Sequence, residues 1–137
     1  MARVLGVDPG TKRCGIALSD SARRMAFPRS SMSSDNVLVG LAALIEEEDI
    51  ERIVIGRPVA LSGHETSSTR FADGLFTAVV AEFAEMPVVQ WDERLTTYEA
   101  QKSLSRAGLS AKDQRSRLDS AAAVIMLQNY LDALLPD

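Results

Sequence analysis

The chain has 137 residues, of which 46% are apolar and 25% charged. That is the size and make-up of one ordinary globular domain spanning residues 1–137, and it excludes disorder, collagen-like repeats and a disulfide scaffold. The net charge of −4 and a pI near 5.0, taken alone, argue against a polyanion-binding surface.

Val4 to Val7 reads as a strand interior and Cys14 to Leu18 as a second, with Pro9-Gly10-Thr11 supplying the turn between them. A short third strand is expected around Met25 to Phe27, ended by Pro28 and followed by a serine-rich stretch. Asp35 is placed to cap a helix whose apolar face is Val37, Leu38, Leu41, Leu44 and Ile45. Ile53 to Ile55 reads as a buried strand, and Gly56-Arg57-Pro58 opens a loop that reaches Gly63. Phe71, Leu75, Val79 and Phe83 recur every four residues and predict a second helix, widened by Phe76 and Val80. Pro87 precedes a strand from Val88 to Trp91. Thr96-Thr-Tyr-Glu99 fits a capping box for a helix that Gly108 closes, residues 109–115 are polar, and Leu118 to Leu135 forms a last helix. Ala121, Ala122 and Ala123 let that helix lie close against a sheet. Early hairpins followed by βαβ alternation predict an α/β fold, a mixed five-stranded sheet flanked by helices. Its parallel strands are expected to end at one edge, where such sheets build their sites.

Three acidic positions have distinctive settings. Asp8 closes an apolar run before Pro9-Gly10, Asp92-Glu93-Arg94 follows a strand, and Asp119 opens the alanine-rich helix. Two unit charges about 4 Å apart repel by roughly 4 kcal/mol at an effective dielectric of about 20, so three gathered carboxylates call for a cation, naturally Mg²⁺ or Mn²⁺. Each acid also has an ordinary reading: Asp8 as a turn residue, Glu93 as a solvated acid paired with Arg94, and Asp119 as the support of a helix start in Ser116-Arg-Leu-Asp119. The basic charge gathers near these acids. Residues 1–30 hold six Lys or Arg against two acids and residues 94–119 six against three, whereas residues 31–93 hold three against twelve. Lys12, Arg13 and Arg94 are therefore candidate phosphate contacts, and Arg57 is another, because Gly56-Arg57-Pro58 and Gly63-His64 bracket a loop able to hold a nucleic-acid backbone. Cys14 reads as a buried strand residue, Trp91 as core, and His64 lacks metal-ligand spacing. The seven residues before Asp8 leave no room for a leader, and no apolar run approaches membrane-spanning length, so a cytoplasmic protein is expected.

Four motifs in order resemble the YqgF (RuvX) family: Asp8-Pro-Gly-Thr-Lys-Arg-Cys-Gly-Ile-Ala-Leu-Ser-Asp20, Gly56-Arg-Pro with Gly63, Asp92-Glu-Arg-Leu-Thr-Thr97, and Asp119-Ser-Ala-Ala-Ala-Val-Ile-Met-Leu-Gln128. The resemblance implies a ribonuclease H-like fold related to Holliday-junction resolvases and a nuclease that matures the end of pre-16S ribosomal RNA. It also implies that Asp8, Glu93 and Asp119 take the acidic catalytic positions, with Glu93 rather than Asp92 in the middle. Arg57 stands where the family often has an apolar residue, and no acid follows Asp119 through Ala123.

The leading expectation is thus a metal-dependent phosphodiesterase in which one or two divalent ions sit on Asp8, Glu93 and Asp119. Its partners are nucleic acid, with pre-16S rRNA ahead of structured DNA, and ribosomal particles, with no membrane; monomer and homodimer both stay open. The rival readings are a Holliday-junction resolvase, a non-catalytic RNA- or ribosome-binding module, and an ATP-binding role suggested by the Asp-x-Gly-Thr hairpin alone.

Overall fold

Alternation of apolar side chains on both faces of the strands organises the molecule. The computed structural model describes residues 2–60, 62–93 and 120–134. In chain order the elements are β1 (Arg3–Asp8), β2 (Arg13–Ser19), β3 (Ala26–Ser33), a 3₁₀ turn (Ser34–Asn36), α1 (Val37–Glu47), β4 (Ile50–Arg57), α2 (Ser67–Glu82), β5 (Val88–Asp92) and, after the undescribed stretch, α3 (Ala121–Leu134). The strand order is β3-β2-β1-β4-β5. β1, β2 and β3 pair antiparallel, and β4 and β5 continue the sheet parallel to β1.

Successive residues of a strand point to opposite faces. Leu5 and Val7 of β1, Cys14, Ile16 and Leu18 of β2, and Ile53 and Ile55 of β4 thus share one core with Val37, Leu41 and Leu44 of α1 and Leu75 and Val79 of α2. The residues between them, Val4, Ala17 and Val54, meet Ala123, Val124, Met126, Leu127, Tyr130 and Leu131 of α3 on the opposite face. The alanine-rich start of α3 allows a close approach. A β-carbon on Gly6 would lie 3.0 Å from Leu127 Cβ, so the helix rests almost on the backbone of β1.

β3 differs from its expected length. It runs through Pro28 to Ser33, with Ala17 opposite Pro28. Proline is tolerated there because β3 is an edge strand, where a missing N–H interrupts no second ladder. Asp35 lies in the 3₁₀ turn, and α1 begins at Val37 behind Asn36 with no side-chain cap. A capping box is present at α2, where Thr66 Oγ1 accepts from Thr69 N and Thr69 Oγ1 accepts from Thr66 N. The helix expected from Thr96 to Gly108, the polar stretch after it and residues 118 and 119 lie outside the described residues. No helix among the described residues is long and apolar enough to cross a membrane.

Candidate active site

The three parallel strands β1, β4 and β5 end at Asp8, Arg57 and Asp92, so their carboxyl ends meet along one edge of the sheet. Asp8 owes its place to a tight turn. A β-carbon on Gly10 would fall 2.3 Å from the carbonyl oxygen of Arg13, a separation no side chain tolerates, and only glycine lets the chain double back so closely. Ser34 fastens the same turn from the end of β3: its hydroxyl donates to Gly10 O at 2.5 Å, and its backbone N–H donates to Lys12 O at 2.9 Å.

Glu93 follows β5 and reaches back over β4. A β-carbon on Gly56 would lie 2.7 Å from Glu93 Cδ and 3.0 Å from its Cγ and Oε1. Gly56 is therefore the seat on which the Glu93 side chain lies. From it Glu93 comes up against the side chain of Asp8. The ladder explains the reach, since Val7 pairs with Ile55 and Gly56 pairs with Trp91, which puts Gly56 between the end of β1 and the end of β5. Two carboxyl groups brought close together favour a proton or a cation between them. Burial, then the contact with Asp8, then the nearby charges of Asp8 and Asp92 push Glu93 far above the usual carboxylate range.

Ser120, the residue after Asp119, is fully buried at the same edge. Its hydroxyl accepts from Ile16 N at 3.0 Å and donates to Arg29 O at 2.7 Å, filling the irregularity in the β2–β3 ladder between Cys14 and Ile16. No sequence motif singled it out. A lone serine beside an alanine run reads as a helix residue, and its strand partners lie 104 and 91 residues away.

Asp119 and Arg94 lie outside the described residues. Lys12 and Arg13 are exposed on the turn after Asp8. Arg57 is held by carboxylates: Nε donates to Asp73 Oδ1 at 2.9 Å, and an Nη donates to Asp73 Oδ2 at 3.1 Å and to Glu65 Oε1 at 2.7 Å. His64 is exposed, Cys14 is buried, and Trp91 packs edge-on against Tyr130 with ring centroids 5.4 Å apart. Among the described residues no group of three or more His, Cys, Asp or Glu side chains is placed to hold a metal. The observed acidic contact is the pair Asp8 and Glu93.

Comparison with known proteins agrees with this architecture. The family model RuvX, described as Holliday junction resolvase, matches residues 2–133. The chain belongs to the RuvX family. It is 38% identical over 133 residues to a protein of Anaeromyxobacter sp. (strain Fw109-5), covering 95% of this chain and 96% of that protein. It is 40% identical over 139 residues to one of Syntrophus aciditrophicus (strain SB), covering 96% and 89%, and 41% identical over 133 residues to one of Mycobacterium leprae (strain Br4923), covering 95% and 72%. All three bear the name pre-16S rRNA nuclease, a name that is itself provisional. Among solved structures, T. thermophilus RuvC in complex with a Holliday junction substrate superposes with a TM-score of 0.62 at 14% identity, covering 97% of this chain and 96% of that one. The fowlpox virus Holliday junction resolvase superposes with a TM-score of 0.58 at 12% identity, covering 96% and 99%. The fold of this RuvX protein is therefore ribonuclease H-like, and its family makes it a nuclease, a hydrolase of phosphodiester bonds.

Proposed function

We propose that this RuvX protein cleaves phosphodiester bonds of precursor 16S ribosomal RNA at a site formed by Asp8, Glu93 and Asp119, with one or two Mg²⁺ or Mn²⁺ ions. The observation that carries the reading is the seating of the Glu93 side chain over Gly56, between the ends of β1 and β5 and beside Asp8, at the carboxyl edge of the parallel strands. Two carboxyls side by side, with burial opposing the charge of Glu93, form a hard oxygen donor set that a small divalent cation suits. Such an ion, when bound, supplies Lewis-acid polarisation of the phosphate and an activated water. The chain's own part is to hold the carboxyl groups in place: Gly10 and Ser34 secure the turn after Asp8, and Gly56 seats Glu93. Including Asp119 is supported by its neighbour Ser120, tied to Ile16 and Arg29 at this edge. Lys12, Arg13 and Arg94 neutralise substrate phosphates. Ribosomal RNA as substrate is favoured by the name of the three relatives, and it puts the protein in the cytoplasm near ribosomal particles.

Incubation of wild type, Asp8→Asn and Asp119→Asn with precursor 16S rRNA and with a four-way DNA junction, each with Mg²⁺, Mn²⁺ or chelator, tests the reading. Cleavage of the RNA by wild type alone, abolished by chelator, is expected. Asp8→Asn should lose most activity with no fall in melting temperature, because it removes a carboxyl crowded against Glu93. Full cleavage by Asp8→Asn would defeat the assignment, and preferential cutting of the junction would move the substrate to DNA.

A further inference from the structure

Among the described residues β5 is a five-residue strand at the edge of the sheet, with β4 its one neighbour. The ladder between them ends at the pair Arg57 and Asp92, one residue short of Glu93. A short edge strand frays at its end, so the reach of Glu93 across Gly56 depends on whatever else holds the last residues of β4 and β5 together. α2 provides that hold. On the face of the sheet covered by α2, Asp73 Oδ1 accepts from both Arg57 Nε on β4 and Gln90 Nε2 on β5, each at 2.9 Å. Oδ2 of the same carboxylate takes a second bond from Arg57 at 3.1 Å. One side chain thus joins three elements: it is bidentate to a planar guanidinium, which fixes orientation as well as distance, and it binds the neighbouring strand through an amide. Glu65, in the loop after β4, takes a further bond from the same Nη that reaches Asp73 Oδ2. Glu93 lies three residues beyond Gln90, and its seat Gly56 lies one residue before Arg57.

We infer that Asp73 is a positioning residue for cleavage: by gripping Arg57 and Gln90 it sets the ends of β4 and β5, and through them the placement of Glu93 against Asp8. The inference rests on the reading of Glu93 as a carboxyl of the active site. It also gives Arg57 a role in place of a phosphate contact, because the guanidinium is already engaged by two carboxylates on the protein side. Arg57 pairs with Asp73 well enough that each partner's charged form is favoured, Arg57 shifting up and Asp73 down.

The test uses the full chain with precursor 16S rRNA, measuring kcat, KM and the Mg²⁺ concentration for half-maximal rate. Asp73→Ala and Arg57→Ala are each expected to lower kcat by about ten-fold and to raise the Mg²⁺ requirement, with KM changed by less than about two-fold. The double variant should be no worse than either single, since both remove one clamp. Asp73→Asn, which keeps an acceptor for Gln90 but loses the ion pair, should fall between wild type and Asp73→Ala and guards against a folding defect. Glu93→Gln is run beside them. If Glu93→Gln is inactive while Asp73→Ala matches wild type in kcat and Mg²⁺ requirement, the clamp is refuted and the site reading stands. A raised KM with a shallower salt dependence for Arg57→Ala, and no change for Asp73→Ala, would make Arg57 a phosphate contact and also refute it. Wild-type activity in Glu93→Gln would overturn the site reading and this inference with it.

Discussion

Glu93 carries the largest electrostatic strain among the described residues, and the strain has a sign. Its protonated form is favoured in the folded state over the ordinary value of 4.5 because burial and Asp8 both oppose its charge. Between the ordinary value and the raised one, the folded chain therefore binds more protons than the unfolded chain, and stability falls as pH rises through that window. The metal-free protein should lose melting temperature on going from about pH 5 to pH 8, and Glu93→Gln should flatten the profile. Added Mg²⁺ should raise the melting temperature more at pH 8 than at pH 5, which a thermal scan with and without chelator would check. Gly56 gives a steric counterpart. Its backbone is free of the left-handed region, so Gly56→Ala is allowed locally, yet the new methyl group would collide with Glu93 Cδ at 2.7 Å. A displacement of about 1 Å at a reacting group can cost on the order of a hundred-fold in rate. Gly56→Ala should therefore keep the fold, by circular dichroism, and lose most cleavage.

At the scale of elements, the site depends on anchors that tie a strand or helix end to another part of the chain. Ser34 holds the β1–β2 turn from the end of β3, and Ser120 holds the start of α3 against β2 and β3. Ser120→Ala leaves the N–H of Ile16 and the carbonyl of Arg29 without this partner in a buried setting. An unsatisfied buried group costs about 1–3 kcal/mol, and the predicted outcome is a lower urea midpoint by a corresponding amount with an unchanged slope. An unaltered midpoint would show that the serine contributes nothing to docking α3. The elements themselves were largely readable from periodicity: Val37, Leu41 and Leu44 on α1, and Leu75 and Val79 on α2, are buried as their spacing implies. β3 was not. Its segment Phe27-Pro-Arg-Ser-Ser-Met32 has neither alternation nor a strong β composition, because an edge strand half exposed to solvent needs neither.

Across the whole molecule, two cores lie on opposite faces of one sheet, whose parallel strands end together at Asp8, Arg57 and Asp92. The chain is acidic overall, at −4, so the proposed binding of a polyanion requires local basic charge near Asp8 against a repulsive background. Lys12→Gln and Arg13→Gln should each weaken single-stranded RNA binding regardless of sequence and reduce the slope of log affinity against log salt by about 0.7. A salt titration that leaves the slope at the wild-type value in both variants would remove the turn from the binding surface. By itself the amino-acid order determined the local grammar: where most of the described strands and helices lie, that Gly10 marks a turn, and that Asp8 and Glu93 stand at strand ends. Side-chain periodicity and turn chemistry act over a few residues and are written directly in the chain. Only the tertiary structure decided that Glu93 bends over Gly56 to Asp8, that Ser120 bonds to Ile16, and that the guanidinium of Arg57 turns to Asp73. Those partners are distant in sequence, and sheet register and helix docking, which no local pattern encodes, bring them within reach.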